Sequence, residues 1–264
     1  MSATDPSLVA APRIRVRGLV KAFGPKLVLD HLDLDVARGG SLVVIGGSGS
    51  GKSVLIKCIL GLIEPDEGTI EIDGQDVLRL SRSDRDEINR HTGMLFQAGA
   101  LFDSLPVWEN VCFGLLAQKR IARADAPAKA VDVLAQVGLG ADVAALRPAE
   151  LSGGMQKRVA LARAIAAGPD VVFFDEPTTG LDPIMGAVID LLIVDVVKRL
   201  GATAFTITHD MASVRRIADR VAMIHRGKII WQGPPADMAS CGNPYVEQFV
   251  RGERDGPITM DLRR

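Results

Sequence analysis

The sequence predicts an α/β fold, a mostly parallel sheet with helices on both faces. Three observations lead there. A continuous apolar run, Leu42-Val43-Val44-Ile45, ends in a glycine-rich loop and is followed by a helical stretch. A second apolar run, Asp170 to Phe174, ends in two carboxylates, Asp175 and Glu176. Strand-like and helix-like stretches then alternate, as they do when helices cross over a parallel sheet. The 264 residues suffice for one large domain or two small ones.

Residues 1–12 are polar, contain Ala and Pro, and are expected to be disordered. Ile14-Arg15-Val16 and Leu32-Asp33-Leu34-Asp35-Val36 alternate as half-buried strands do. Leu42 to Ile45 does not alternate, which suits a strand covered on both faces. A helix is expected from Lys52 to Leu62. Thr69 to Asp73 alternates again and stops at Gly74, as an edge strand and turn would. Across residues 98–150 the texture changes. Ala, Val and Leu recur at helical spacing from Ala126 to Val137, with Pro127 near the start, so a helical insert is expected. Next come a buried strand at Asp170 to Phe174, a helix at Pro183 to Leu200 and a strand at Thr203 to Thr208. Val221 to His225 and Ile229 to Trp231 read as a hairpin around Arg226-Gly227-Lys228. From Arg251 the chain is charged and expected to lie outside the core.

Composition removes several function classes. Hydrophobic residues at 47% and charged residues at 24% fit an ordinary packed domain. A formal net charge of −1 supplies no basic field for nucleic acid, so no nucleic-acid partner is expected. Cys58, Cys112 and Cys241 are odd in number and far apart, which favours free thiols in a reducing compartment over a disulfide or zinc site. The best candidate for a membrane span, Val188 to Val197, is interrupted by Asp190 and Asp195 and falls short of the ~18–20 residues a span needs. Met1 to Pro12 lacks the basic start and apolar core of a signal peptide. A cytosolic chain is expected, with any membrane span supplied by another chain.

Gly46-Gly47-Ser48-Gly49-Ser50-Gly51-Lys52-Ser53 fits the phosphate-binding P-loop, placed between a buried strand and a helix. Its glycines let the backbone turn N–H groups onto a polyphosphate, and the helix N-terminus adds positive dipole. Lys52 would reach the β- and γ-phosphates and Ser53 would ligate Mg²⁺. Asp175 at a strand end would hold Mg²⁺, and Glu176 would orient or deprotonate an attacking water. A strand ending in Asp-Glu is by itself more often a solvated end. The P-loop upstream is what favours the catalytic reading.

Leu151-Ser152-Gly153-Gly154-Met155-Gln156 resembles the signature motif of the ABC ATPase family, and it lies just upstream of the Asp175-Glu176 strand, as in that family. Other motifs of the family follow in order. Phe23 resembles the aromatic that stacks on adenine, although an aromatic here also suits ordinary packing. Gln97 resembles the Q-loop glutamine, Thr179-Gly180-Leu181-Asp182 the D-loop, and His209-Asp210 the switch histidine and its neighbour. The resemblance covers residues 13–235. It implies a P-loop NTPase with a RecA-like core, an antiparallel β subdomain and a helical subdomain at residues 98–150, with a C-terminal helix and tail over residues 236–264. It also implies a homodimer that binds ATP and Mg²⁺. Ser152, Gly153 and Gly154 of one copy would meet the γ-phosphate on the other copy's P-loop, and Asp182 would cross the interface. His209 would hold the γ-phosphate and the attacking water, while Gln97 would sense Mg²⁺ or water. Two positions depart from the pattern. Val54 stands where many relatives have Thr, leaving its backbone N–H as the contact, and Met155 replaces a Gln.

Leu95 to Ser104, Val107 to Val111, Leu151 to Met155 and Gln248 to Gly252 further resemble the lipid-trafficking, Mla-type branch of the family. That resemblance implies an ATPase on the cytoplasmic face of the inner membrane. Its partners would be transmembrane permease subunits, a periplasmic lipid-binding protein and a STAS-domain protein. Leu101 and Phe102 would either meet a permease helix or pack inside the insert. The alternatives are an ABC ATPase of another import or export system, or one outside transport. The latter usually needs a coiled-coil insertion or two cassettes, and no heptad run is present. A GTPase or small-molecule kinase would leave Leu151 to Gln156 and His209 unexplained, and a module that merely holds nucleotide would have no use for Glu176.

Overall fold

The computed structural model describes residues 11–259. Residues 1–10, most of the stretch expected to be disordered, and residues 260–264 of the tail lie outside the described residues. Strands β1 (Ile14–Phe23), β2 (Lys26–Val36), β4 (Glu67–Ile72) and β5 (Gln75–Asp76) form an antiparallel sheet in the order β2-β1-β4-β5. A second sheet holds β3 (Ser41–Ile45), β6 (Thr92–Leu95), β7 (Val171–Asp175), β8 (Thr203–Ile207), β9 (Arg220–His225) and β10 (Lys228–Gly233). Its order is β10-β9-β3-β8-β7-β6, and every pairing is parallel except that of β10 with β9.

The inner strands are apolar throughout because they serve two cores at once. Leu42 and Val44 of β3 pack with helix α1 (Lys52–Ile59) and the antiparallel sheet. Val43 and Ile45 face the other way, onto Val214 and Ile217 of α7 (Met211–Ile217) and Val246 of α8 (Pro244–Arg251). β7 behaves likewise. Phe173 joins the α1 core, while Val172 and Phe174 join a third core built by α3 (Val107–Ala117), α4 (Ala126–Gln136), α5 (Gly153–Ile165) and α6 (Pro183–Leu200). α5 begins after the insert that the sequence delimits at residues 98–150, yet it packs in the same core as α3 and α4.

Several elements differ from the sequence expectation. The first helix stops at Ile59 rather than Leu62, because Leu60 caps it and Gly61 turns left-handed with φ 71°. The strand expected at Thr69 to Asp73 begins at Glu67 and is not an edge, since the two-residue β5 pairs with it. The connecting turn uses positive φ at both Asp73 and Gly74, the hairpin geometry whose twist matches its strands. α2 (Arg82–Arg90) was not foreseen, because only Arg85 of it is buried and it carries no apolar stripe. Ser81 caps it by accepting the Asp84 N–H at 3.2 Å. The hairpin at Arg226-Gly227 forms as expected, with φ 49° and 79° at the turn. No helix among the described residues is long and apolar enough to cross a membrane.

Gly93 of β6 sits directly under α5, and a Cβ there would overlap the carbonyl of Ala164. Gly93→Ala should therefore push α5 off the sheet and cost about 1–3 kcal/mol, as overpacking does. Thermal unfolding should show a fall of roughly 2–4 °C for each kcal/mol in a chain of this size. An unchanged midpoint would show that α5 is not seated as described.

Candidate functional site

The site is assembled at the carboxyl ends of β3, β7 and β8, where loops of an open parallel sheet converge. β3 delivers the loop Gly46 to Gly51. Two of its glycines are required by geometry. Gly46 has φ 152°, and a side chain there would run into the carbonyl of Ile224 on β9. Gly51 has φ 110°, with Val28 O only 2.9 Å from where a Cβ would stand. The loop is thus held tightly to β2 and β9, and its glycine-rich backbone can present amides to a bound anion. Lys52 opens α1 and folds back over the loop, donating to the carbonyls of Gly46 at 2.8 Å and Gly47 at 3.0 Å. Ser53 is exposed in the first helical turn. The Ser50 hydroxyl is buried without a hydrogen-bond partner. An open cavity beside the loop is lined by Phe23, Lys26, Val28 and residues 49–54, Val54 among them. Phe23 is 48% exposed, with the Lys21 ammonium 5.5 Å from its ring centre. It therefore stands at the cavity rather than in the core.

β7 delivers Asp175 and Glu176. Glu176 is buried and adopts a left-handed backbone, φ 50°, a costly conformation for a non-glycine residue that its surroundings must hold in place. Its N–H donates to Ile207 O at 2.9 Å, which extends the pairing of β7 with β8 by one residue. This turn aims the carboxylate at His209, whose Nδ1 lies 2.8 Å away. Thr179 donates its hydroxyl to the other carboxylate oxygen at 3.1 Å. His209 itself is largely exposed, so one face of the pair is open to solvent.

Charge is concentrated here. Burial, and after it the Glu176 carboxylate, raises the pKa of Asp175, against the pull of Lys57, Lys52 and Lys157. Burial lowers the pKa of Lys52 and of Lys157, opposed in both by Asp175 and Glu176. Among the described residues no cluster of three or more His, Cys, Asp or Glu could hold a metal by itself. A cation at this site would rest on the oxygens of Ser53 and Asp175 together with those of a bound phosphate, a donor set that suits Mg²⁺.

The remaining expected residues lie around this centre. Gln97 follows β6 with its side chain exposed, and its carbonyl accepts from the buried ammonium of Lys157 on α5. Ser152 caps α5 by accepting the Met155 N–H at 3.3 Å, and Gly153 and Gly154 form its first turn. This makes a second helix N-terminus capable of meeting an anion, and none of these residues lines the P-loop cavity. Asp182 is exposed and caps α6 through the N–H groups of Ile184 and Met185. Leu101 packs on the helical core, whereas Phe102 is 41% exposed, with its ring centre 4.5 Å from that of Phe113. The sequence reading passed over Lys157 and the contact of Thr179 with Glu176. Nothing local marks either, since Lys157 stands in the polar run Gln156-Lys157-Arg158.

Comparison with known proteins places this geometry. Residues 29–179 match the protein family described as ABC transporter. The "Intermembrane phospholipid transport system ATP-binding protein MlaF" of Haemophilus influenzae is 40% identical over 93% of this chain and 92% of its own length. The "Probable ribonucleotide transport ATP-binding protein mkl" of Mycobacterium leprae is 38% identical over 94% of this chain and 71% of its own length. Among solved structures, a dimeric ATP-binding cassette in a post-hydrolysis state, bound to ADP and Pi, superposes with a TM-score of 0.77. It is 29% identical, over 84% of this chain and 98% of that one.

Because the Asp175 carboxyl titrates higher in the folded chain than in the unfolded one, its contribution to stability is present at low pH. It is lost as the pH rises through the folded value. Without nucleotide or divalent cation, Asp175→Asn should therefore melt higher than the parent at neutral pH. The two should converge in acid. A variant that melts lower at neutral pH would remove this electrostatic account.

Proposed function

The chain belongs to the ABC transporter family, whose cassettes hydrolyse ATP, and from that premise we propose that two copies form the motor of a transporter moving phospholipid between membranes. The observation that supports the dimer is the likeness to a solved cassette that is dimeric with ADP and Pi bound, together with the single P-loop and the single Ser152–Gly154 turn in this chain. A second copy would supply that turn, its helix N-terminus and hydroxyl meeting the γ-phosphate.

In this reading Phe23 stacks on the adenine, and the amides from Gly47 to Val54 hold the phosphates. Lys52 exchanges its two loop carbonyls for β- and γ-phosphate oxygens. Mg²⁺, held by Ser53 and Asp175 with Gln97 nearby, would neutralise charge on the transferring phosphoryl group. Glu176 accepts a hydrogen bond from the attacking water and takes up its proton as the bond from water oxygen to γ-phosphorus forms. The bond from γ-phosphorus to the bridging oxygen breaks, giving ADP and phosphate. His209, fixed by its 2.8 Å bond to Glu176, keeps the water and the γ-phosphate in line. Asp182, at the head of α6, reports across the interface. Gln97, tied to α5 through Lys157, passes the state of the site to the helical region at residues 98–150.

The phospholipid assignment follows the relative that matches nearly end to end, at 93% and 92% of the two lengths, over the mycobacterial one, of which 71% is covered. The partners in this reading are transmembrane permease subunits, a periplasmic lipid-binding protein and a STAS-domain protein, with the ATPase peripheral on the cytoplasmic face.

Glu176→Gln keeps the shape of the side chain but cannot take the proton. It should lower turnover by about 10²–10⁴-fold and accumulate a closed dimer when ATP is added, read by light scattering. No ATP-dependent dimer would count against the shared-site mechanism. Lys52→Ala should lose ATP affinity, and unchanged binding would take Lys52 out of the site. Affinity capture of the chain from its native membranes should bring down a permease together with a lipid-binding partner. A permease of another kind would leave the motor standing and discard the phospholipid.

A further inference from the structure

α6 contains two aspartates within its apolar run, and they have opposite fates. Asp195 is exposed and pairs with Arg199 one turn on, at 3.3 Å. Asp190 is wholly buried. Its Oδ2 accepts from Ser213 Oγ at 2.9 Å and from Arg216 at 3.0 Å, while its Oδ1 has no hydrogen-bond partner. Burial raises its pKa against the pull of those two partners. A half-paired buried carboxylate is a poor way to stabilise a helix contact, because an apolar side chain of similar size commonly does as well or better. What the carboxylate does provide is a link.

Ser213, also wholly buried, stands at the centre of that link. Besides Asp190, its hydroxyl lies 3.1 Å from Asp210 Oδ2 and 3.3 Å from Thr178 Oγ1. A serine hydroxyl has one proton and two lone pairs. Its one proton goes to Asp190, the nearer carboxylate, rather than to Asp210, which leaves a lone pair of Ser213 to accept from the Thr178 hydroxyl. Thr178 follows Glu176 by two residues, and Asp210 follows His209 directly. Asp210 is also fixed by capping α7, through the Ala212 N–H at 2.8 Å. Beyond the pair itself and the bond from Glu176 N–H to Ile207 O, the segments carrying Glu176 and His209 are therefore joined again, by Thr178 through Ser213, which Asp190 holds.

We propose that Asp190 is a positioning residue for ATP hydrolysis. Acting through Ser213, it holds the Thr178 and Asp210 segments in register, so that His209 stays within hydrogen-bond distance of Glu176. It touches neither nucleotide nor water, and it lies on the same helix that Asp182 caps, so it also ties the interface residue to the hydrolytic pair. The inference rests on the reading of Glu176 and His209 given above.

The experiment is steady-state ATP turnover, equilibrium ATP affinity and thermal midpoint of the full chain, for Asp190→Leu and Asp190→Asn beside the parent. Asp190→Leu fills the space without the link. It should lower kcat by about ten- to a hundred-fold, the loss expected when reacting groups are misplaced by an ångström or less, with ATP affinity and melting midpoint held. Asp190→Asn keeps an acceptor for Ser213 and Arg216 and should recover most of that turnover. Ser213→Ala should reproduce the loss of kcat without loss of affinity, and it serves if the leucine variant fails to fold. Leucine and alanine variants as active as the parent would overturn the proposal and leave the ATPase mechanism intact. A kcat that falls only in step with affinity and midpoint would reduce Asp190 to a structural role. A parent that hydrolyses no ATP would fail the underlying reading first.

Discussion

The site depends on one close approach, at the end of β3, where the backbone of Gly46 passes the carbonyl of Ile224 with no room for a side chain. That contact locks the start of the phosphate loop to β9, and Gly51 locks its end to β2. The loop is thereby fixed at both ends by sheets, and its curvature between them is not negotiable. α1 can then start where its N-terminal amides face the cavity, and Lys52 can reach back across the loop. A looser seat would still contain the right residues but would not hold them against a polyphosphate.

Around that loop the protein places cations and carboxylates close together and partly buried. Burial works against the charges of Asp175, Lys52 and Lys157, and the two carboxylates pull against it at both lysines. Such a centre is poorly satisfied by itself and is well suited to a charged ligand. The left-handed backbone at Glu176 belongs to the same pattern. Strain and desolvation are concentrated where a ligand can relieve them, and the three apolar cores around the sheet bear the cost.

The sequence made the skeleton legible because the central strands advertise themselves. β3 and β7 are apolar without alternation since each feeds two cores, and each ends in chemistry rather than in a turn. The helix Pro183–Leu200 was readable to the residue, from a capping Asp182, a Pro in the first turn and Gly201 at the end. Elements lacking such signals were missed. α2 has no apolar face, and β6 is four residues long with a glycine inside it. Residues 46–54, Asp175, Glu176 and His209 follow β3, β7 and β8, while Phe23 ends β1, Gln97 follows β6, and Ser152 and Asp182 cap α5 and α6. The supporting polar contacts were not visible. Nothing in a linear reading separates Asp190 from Asp195, because their difference is which side of α6 meets α7.

The pairing of β3 also governs when the nucleotide loop can exist. Its neighbours are β8, where Ser41 meets Ala204, and β9, where Leu42 meets Arg220. A strand written early in the chain thus waits for partners written late, and long-range parallel pairing of this kind is slow to form. On the ribosome the loop sequence emerges long before the strands that shape it. A nascent chain therefore gains its grip on ATP only after β8 and β9 have been made.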